Sequence, residues 1–269
     1  MDLSVLYITY NRSDLLLKSI RSFIPTLTST KLKFEVIVTD DASTIEHVQT
    51  IKLESAIDKF ISSESNGGLG VNTNRGLNAC AAPIILQLQD DWIFAGQHSD
   101  LTDVLQVMQS DPEIGIIQLT DNCSFDLPTE RRLTSTGIAY EVFTNDRLPW
   151  NRDCGLRPYS DCPHIKSALF VKYIGPYLEG ISMGVTENDF KRRVATQGRW
   201  RVAKMCREYI FIHIGAEHSL NPGGNRHRLI VLLHKIPVIG KAIESLIRKS
   251  WRYTDHILRQ YSSLEYCLG

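Results

Sequence analysis

Residues 34–44 read FEVIVTDDAST, an apolar run rich in β-branched residues that ends in two aspartates. The run predicts a buried strand, because valine and isoleucine pack well on a pleated surface. Ser43 or Thr44 can then cap a helix that continues to Leu53. This stretch therefore predicts a strand, a polar loop and a helix.

The same alternation extends on both sides of this stretch. Strands are predicted at residues 3–9, 59–61 and 84–88, and helices at residues 13–23 and 71–82. Short connections between alternating strands and helices favour right-handed βαβ units. We therefore predict an α/β fold with a mostly parallel, doubly wound sheet flanked by helices.

The second half of the chain is less regular. Its pattern predicts a β-ribbon over residues 131–143, helices at 100–109, 166–173 and 187–197, and strands at 115–119, 200–205 and 209–214. A long polar connection over residues 144–163 separates the β-ribbon from the helix predicted at 166–173. We predict one domain over residues 1–225 and a helical tail over residues 226–269.

Composition and charge limit the classes of protein that the chain can belong to. Of its 269 residues, 43% are hydrophobic and 22% are charged, as in ordinary folded proteins. The 30 Lys and Arg residues balance the 30 Asp and Glu residues, so the basic surplus typical of a nucleic-acid binder is absent. Nucleic acid is therefore not an expected partner.

The sequence predicts neither a membrane-spanning segment nor a secretory signal. No apolar run approaches the roughly 18 residues that a spanning helix needs, and the N-terminus lacks the charged and long apolar regions of a signal. Six scattered cysteines without a CxxC pair are typical of reduced thiols in a cytoplasmic protein. Cys154 and Cys162, with His164, leave a zinc site open as an alternative.

Charge is distributed unevenly between the two predicted parts. Residues 226–269 hold eight Lys and Arg against three Asp and Glu, whereas residues 1–225 hold 22 against 27. Apolar residues recur at helical spacing in the tail, which predicts a basic amphipathic helix. Such a helix can lie on the anionic inner face of a membrane, pack on its own domain or form a homodimer.

Polar residues follow three of the predicted strands at the point where each strand ends. They are Thr9 to Arg12, Asp40 with Asp41, and Asp90 with Asp91. The carboxyl ends of parallel strands meet at one edge of a sheet, and α/β proteins bind ligands there. The clustering is therefore the first indication of a function.

The order of these motifs resembles that of the family 2 glycosyltransferases, enzymes of the GT-A fold that use nucleotide-diphosphate sugars. The resemblance extends over residues 3–220 and lies in the segments 4–12 (SVLYITYNR), 36–43 (VIVTDDAS), 66–76 (NGGLGVNTNRG), 88–91 (LQDD), 186–189 (TEND) ahead of Arg193 and Gly198, and 213–215 (HIG). It implies a metal-dependent, inverting transfer from a UDP-, GDP- or dTDP-linked sugar. The implied acceptor is a hydroxyl of a glycan, a glycolipid or a polysaccharide precursor.

The resemblance also implies which residues contact the nucleotide. An aspartate can accept the imide N–H of uracil, and this role is assigned to Asp41 with Asp40 holding the loop, although sequence alone leaves open which of the two faces the base. A guanidinium can meet phosphate or pyrimidine oxygens. The implied nucleotide-binding residues are Thr9, Tyr10, Arg12, Asp41, Asn66, Arg75, Gln89 and Asp90.

A divalent cation can neutralise the adjacent negative charges of a sugar diphosphate. Gln89-Asp90-Asp91 lies where the family has its DxD motif, and Gln89 departs from the acidic first position. The resemblance implies that Asp91 binds Mn²⁺ or Mg²⁺ with Asp90 as its support. It implies His213 as a further ligand, although a lone histidine in an apolar strand is more often a core residue.

An inverting transfer also needs a base that takes the proton of the acceptor hydroxyl. Glu187 and Asp189 compete for this role, because positions two apart on a helix lie about 200° apart around its axis. Glu187 shares the apolar, inward face with Phe190, whereas Asp189 precedes two arginines and suits a capping box with Thr186. We predict that Glu187 is the base and that Asp189 is structural.

Two other functions stay open from the sequence. A sugar nucleotidyltransferase would have a glycine-rich loop with Arg and Lys directly after its first strand, and Thr9 to Arg12 is not such a loop. A non-catalytic binding or scaffold protein would bind nucleotide without turnover, and the altered Gln89 is compatible with it. The favoured interpretation is a cytoplasmic glycosyltransferase whose partners are a nucleotide-sugar donor and a glycan or glycolipid acceptor.

Overall fold

The computed structural model describes residues 1–120, 129–143, 159–206 and 210–215. In these ranges the strands are β1 (Leu3–Thr9), β2 (Phe34–Asp40), β3 (Lys59–Ser62), β4 (Ile84–Gln89), β5 (Trp92–Phe94), β6 (Ile114–Gln118), β7 (Thr129–Leu133), β8 (Ala139–Phe143), β9 (His164–Ser167), β10 (Arg201–Met205) and β11 (Phe211–His213). The helices are α1 (Ser13–Thr28), α2 (Ile45–Lys52), α3 (Gly68–Ala79), α4 (His98–Ser110), α5 (Ala168–Ile174) and α6 (Met183–Thr196).

The chain divides into two units, Met1–Ile214 and Gly215–Gly269. Apart from Gly215, the second unit lies outside the described residues, as do the predicted boundary at residue 225 and the predicted tail helix. Both stay predictions. In the part of the chain that the structure describes, no helix is long and apolar enough to span a membrane.

Nine strands form one sheet in the order β3-β2-β1-β4-β9-β6-β10-β8-β7. Seven of them run in one direction, and only β8 and β9 run against it. Strands β5 and β11 form a separate antiparallel pair. The structure therefore confirms the predicted α/β fold with a mostly parallel sheet, and it confirms the β-ribbon as β7 and β8.

Helices cover both faces of the sheet. On one face Leu16, Ile20 and Phe23 of α1 pack in the same buried cluster as Val5 and Tyr7 of β1. The opposite face carries a second cluster, to which α3 and α5 contribute. Each fully buried side chain of this size stabilises the fold by about 1.5–3 kcal/mol.

Helix α3 approaches the sheet closely at Gly76. A Cβ atom at this position would lie 2.5 Å from Leu6 Cδ1 and 3.1 Å from Thr39 Cγ2. Only glycine therefore fits this contact without displacing its neighbours, and the contact holds the loop before α3 near the ends of β1 and β2.

Helices α3, α4, α5 and α6 begin at other residues than expected, and the shifts of α5 and α6 change how the sequence is interpreted. Lys166 belongs to strand β9, which lies antiparallel between β4 and β6, and α5 begins only at Ala168. Helix α6 begins at Met183 after the N-cap residue Ser182. Thr186 is thus inside the helix, where its hydroxyl donates to the Leu178 carbonyl, and the predicted capping box with Asp189 is wrong.

Candidate active site

The carboxyl ends of β1, β2 and β4 lie side by side, because β1 pairs in parallel with both other strands. Thr9 at the end of β1 lies opposite Asp40 of β2, and Ile8 lies opposite Gln89 of β4. Strand β9 runs the other way, so its first residue, His164, pairs with Gln87 near the same end of β4. The polar residues after these strands therefore share one edge of the sheet.

Ion pairs connect the loop after β1 with the loop after β4. The Arg12 guanidinium donates through Nη1 to Asp91 Oδ2 at 2.8 Å and to Asp90 Oδ1 at 3.2 Å. The Thr9 hydroxyl donates to Asp90 Oδ2 at 2.8 Å. We call Thr9, Arg12, Asp90, Asp91 and His213 the edge cluster.

His213 reaches this cluster through the pairing of β11 with β5. His213 lies opposite Trp92, and the two rings are 4.9 Å apart. Its Nε2 is 3.2 Å from Asp91 Oδ2, and 38% of its side chain is exposed. His213 is therefore a surface residue of the candidate site and not a core residue.

The two aspartates of the edge cluster differ in their affinity for protons. Burial raises the pKa of Asp90 to about 7, and the neighbouring Asp91 charge adds to the increase against the effect of Arg12 and Thr9. Burial also acts to raise the pKa of Asp91, but His213 and Arg12 outweigh it, so that this pKa lies below its usual value. Asp91 is therefore the more firmly ionised carboxylate.

Both aspartates after β2 are engaged by the protein itself. Asp40 accepts from the Ser43 backbone and from the hydroxyls of Ser43 and Ser62, which fixes the loop after β2. Asp41 accepts from the backbone N–H groups of Gly67 and Gly68 at 2.9 and 2.8 Å. Asp40 thus holds its own loop, and Asp41 holds the glycine-rich loop at the start of α3.

The remaining predicted nucleotide contacts lie on the same side of the sheet edge. Arg75 Nη2 donates to the Ser63 hydroxyl at 3.0 Å, and Arg75 Nη1 donates to the Asp40 carbonyl at 3.3 Å. Asn66 is exposed in the glycine-rich loop, Tyr10 is exposed after β1, and Gln89 is half-buried at the end of β4. The predicted nucleotide-binding residues therefore lie on loops or strand ends around one edge, except Arg75, which lies in helix α3.

Helix α6 presents the two candidate bases in different settings. Glu187 forms an ion pair with Lys191 at 2.7 Å, and 30% of its side chain is exposed. Asp189 pairs through both oxygens with Arg192 and Arg193. Although partial burial opposes it, these two arginines lower the pKa of Asp189, which makes it a poor proton acceptor.

Beneath α6 lies a group of polar side chains that the sequence did not single out. We call Gln87, Tyr159, Asp161, Lys166 and Tyr177 the buried network. Lys166 Nζ donates to Gln87 Oε1 at 2.6 Å, the hydroxyls of Tyr159 and Tyr177 are 2.5 Å apart, and Tyr159 also donates to Asp161. The Phe190 ring of α6 stacks on the Tyr177 ring at 4.0 Å and contacts Tyr159.

Burial dominates the proton affinities in this network. Burial raises the pKa of Asp161, and the nearby negative charge of Glu187 raises this pKa further. Burial lowers the pKa of Lys166. The network thereby connects β4, two residues before Gln89, with the helix that carries Glu187. No sequence signal could have found this network, because Asp and Lys are mostly exposed in folded proteins and Tyr is often partly exposed.

The described residues fit a divalent cation only in part. No three His, Cys, Asp or Glu side chains in the described ranges lie close enough together to hold a metal ion alone. However, Asp91 Oδ1 is buried and has no hydrogen-bond partner among the described residues, and the His213 imidazole lies against the other oxygen of the same carboxylate. These groups fit a cation whose remaining ligands come from a bound diphosphate. Cys154 of the alternative zinc site lies outside the described residues.

The fold is that of the GT-A glycosyltransferases. The chain belongs to glycosyl transferase family 2, whose sequence model matches residues 4–161. No curated protein matches the chain in sequence.

Solved structures share this fold at low sequence identity. Residues 1–349 of TarS from S. aureus are 17% identical, with 88% of this chain and 65% of that chain covered and a TM-score of 0.51. The same protein in complex with UDP-GlcNAc matches with 15% identity, 88% and 66% coverage and a TM-score of 0.51. The mannosyltransferase PcManGT from Pyrobaculum calidifontis, in complex with GDP-Man and Mn²⁺, matches with 15% identity, 90% and 64% coverage and a TM-score of 0.56. The chain thus spans just under two thirds of the length of these chains.

Proposed function

We propose that the chain transfers a sugar, with inversion and with the help of a divalent cation, from a nucleoside-diphosphate sugar to a hydroxyl group. The donor is UDP-, GDP- or dTDP-linked, and the acceptor is a glycan, a glycolipid or a polysaccharide precursor. The observation that carries this proposal is Asp91 Oδ1, which is buried beside His213 at the carboxyl edge of the sheet and has no hydrogen-bond partner in the described ranges. The solved TarS complex contains UDP-GlcNAc, and the solved PcManGT complex contains GDP-Man and Mn²⁺.

Donor recognition falls to the loops around the sheet edge. The glycine-rich loop, held by Asp41, offers backbone close to the ends of β1 and β2, where Thr9 and Tyr10 lie. Arg12 and Arg75 supply the positive charge that a diphosphate requires. The nucleotide therefore lies across the ends of β1 and β2, with its diphosphate toward Asp90 and Asp91.

The leaving group needs its negative charge neutralised, and the nucleophile needs a group that accepts its proton. Mn²⁺ or Mg²⁺, held by Asp91 and His213, would neutralise the charge that builds on the departing nucleoside diphosphate. On the acceptor side, Glu187 accepts the proton of the attacking hydroxyl, since Asp189 has both oxygens engaged by arginines. Asp90 is not itself a cation ligand in this proposal. It accepts hydrogen bonds from Arg12 and Thr9 and so orients both side chains.

A donor screen tests this proposal without knowledge of the acceptor. The purified protein is incubated with UDP-, GDP- and dTDP-linked sugars, with Mn²⁺ or with EDTA, and slow donor hydrolysis is followed by release of the nucleoside diphosphate. We expect hydrolysis of one donor class with Mn²⁺ and none with EDTA. Nucleotide binding without any release would favour the non-catalytic binding protein, and the absence of both binding and release would refute the proposal.

A further inference from the structure

The backbone of Arg12 is held in place at the edge of the sheet. It is the N-cap residue of α1 and follows Asn11, whose backbone has a φ of 52°. The Asn11 side chain accepts from the Thr44 backbone at 2.8 Å, and the Asn11 N–H donates to the Ser43 hydroxyl at 2.7 Å. The loop after β2 therefore fixes the backbone from which the Arg12 side chain extends.

The Arg12 guanidinium contacts Asp91, the proposed cation ligand, directly. Arg12 Nη1 lies 2.8 Å from Asp91 Oδ2, and only 16% of the Arg12 side chain is exposed. Asp90 and Asp91 carry two negative charges when ionised, and Arg12 cancels one of them. A divalent cation bound to Asp91 would therefore lie near a fixed positive charge in a poorly solvated site, where such repulsion is strong.

A bound diphosphate reverses this balance. Its oxygens bring further negative charge, and a guanidinium pairs with phosphate oxygens through parallel N–H groups at least as well as with a carboxylate. The same Arg12 that opposes a cation in the free protein thus becomes a ligand of the donor in the complex.

We propose that Arg12 makes cation binding conditional on the nucleotide donor. In the free protein its guanidinium shields Asp91 from a cation, and the donor diphosphate draws the guanidinium away and releases Asp91. This inference rests on the proposed function and adds an order of binding to it. Because coupling between two ligands is reciprocal, the cation must strengthen nucleotide binding by the same factor.

Titrations of the wild-type protein provide the first test. Binding of Mn²⁺ alone is measured by the loss of the free Mn²⁺ signal in electron paramagnetic resonance, and then again with UDP, GDP or dTDP present. The affinity of each free nucleotide for Mn²⁺ is measured without protein and subtracted. We expect one nucleotide to tighten Mn²⁺ binding by roughly 10- to 100-fold, within the range typical of coupled sites.

The Arg12→Gln variant isolates the role of the guanidinium. It should bind Mn²⁺ alone at least about 10-fold more tightly than the wild type, bind the nucleotide alone more weakly, and lose most of the coupling. Arg12→Lys keeps the positive charge and should retain part of the coupling. Arg21→Gln removes an arginine that is 68% exposed and paired with Glu54, and serves as the control with unchanged Mn²⁺ binding.

The possible outcomes separate this inference from the proposed function. If the wild type binds none of the nucleotides with Mn²⁺, the proposed function fails. If the wild type binds Mn²⁺ equally well with and without a nucleotide that it does bind, or if Arg12→Gln leaves binding of Mn²⁺ alone unchanged, only this inference fails. Circular dichroism shows whether Arg12→Gln folds. If it does not fold, the coupling in the wild type and in Arg12→Lys tests the inference. Full or partial coupling in Arg12→Lys supports the inference, and absence of coupling overturns it.

Discussion

The edge cluster and the buried network each contain a buried carboxylate oxygen without a hydrogen-bond partner in the described part of the chain. In the edge cluster it is Asp91 Oδ1, and in the buried network it is Asp161 Oδ2. Their surroundings differ. Asp91 lies beside a histidine that is 38% exposed, whereas Asp161 lies beside Tyr159 and Tyr177, which are buried completely and packed on Phe190.

The difference shows that a buried carboxylate can have either of two roles, ligand binding or stabilisation of the fold. A buried carboxylate that contacts a partly exposed histidine lies close to the surface, where a cation or a ligand can bind. A buried carboxylate enclosed by aromatic rings and a lysine stabilises one arrangement of the elements around it, and here it lies under the helix that carries Glu187. The edge cluster should therefore control activity, and the buried network should control stability.

The largest expected effect concerns the base on the helix above the network. Glu187→Gln should lower donor hydrolysis, in which water takes the place of the acceptor, by about 1,000-fold, because a general base contributes roughly that factor. Nucleotide affinity should stay unchanged, since we propose that Glu187 acts on the acceptor and not on the donor. The rates of Glu187→Gln and Asp189→Asn, each measured at saturating donor, check this. Full activity in Glu187→Gln with a large loss in Asp189→Asn would move the base to Asp189.

The next effect concerns stability alone. Lys166→Met should lower the free energy of unfolding by about 3 kcal/mol, because it removes the buried hydrogen bond to Gln87 and the positive charge that acts on Asp161. Adding Asp161→Asn should recover part of this loss by removing the charge left behind. Lys172→Met, at an exposed position of α5, is the control and should change stability by less than about 0.5 kcal/mol in urea unfolding. A single variant as stable as the wild type would contradict a bracing role for the network.

A smaller effect follows from the raised pKa of Asp90. A carboxyl group whose pKa rises to about 7 on folding favours the folded state fully below the unfolded-state pKa and loses this contribution as pH rises through 7. An asparagine side chain does not titrate in this range. The stability of Asp90→Asn relative to the wild type, in EDTA, should therefore increase by about 2 kcal/mol between pH 5.5 and pH 8. A constant or decreasing difference between the two unfolding free energies would mean that Asp90 is ionised at neutral pH.

The first four strands, their parallel arrangement and the placement of the edge residues could be predicted from the sequence. Their signals are local: β-branched runs end in polar loops, and parallel strands bring those loops to one edge. For the same reason Thr9, Asp40 and Asp90 were expected close together, and the structure places them so.

The rest depended on contacts between distant parts of the chain. Strand β9 has only four residues, and its polar His164 and Lys166 are buried by the network and not by an apolar pattern. The start of α6 was misjudged because Thr186 bonds the Leu178 carbonyl and Ser182 precedes the helix instead. The pairing of Arg12 with Asp91 joins residues 79 positions apart, which no spacing rule predicts.

Asp91 is the group through which, in the proposed function, a cation joins the nucleotide to the protein. Calorimetric titration of nucleoside diphosphate with and without Mn²⁺ tests this in the wild type, in Asp91→Asn and in the control Glu113→Gln, whose side chain is 62% exposed next to the start of β6. We predict that Mn²⁺ tightens nucleotide binding by roughly 10- to 100-fold in the wild type and the control, and not at all in Asp91→Asn. An undiminished Mn²⁺ effect in a folded Asp91→Asn variant would contradict the account.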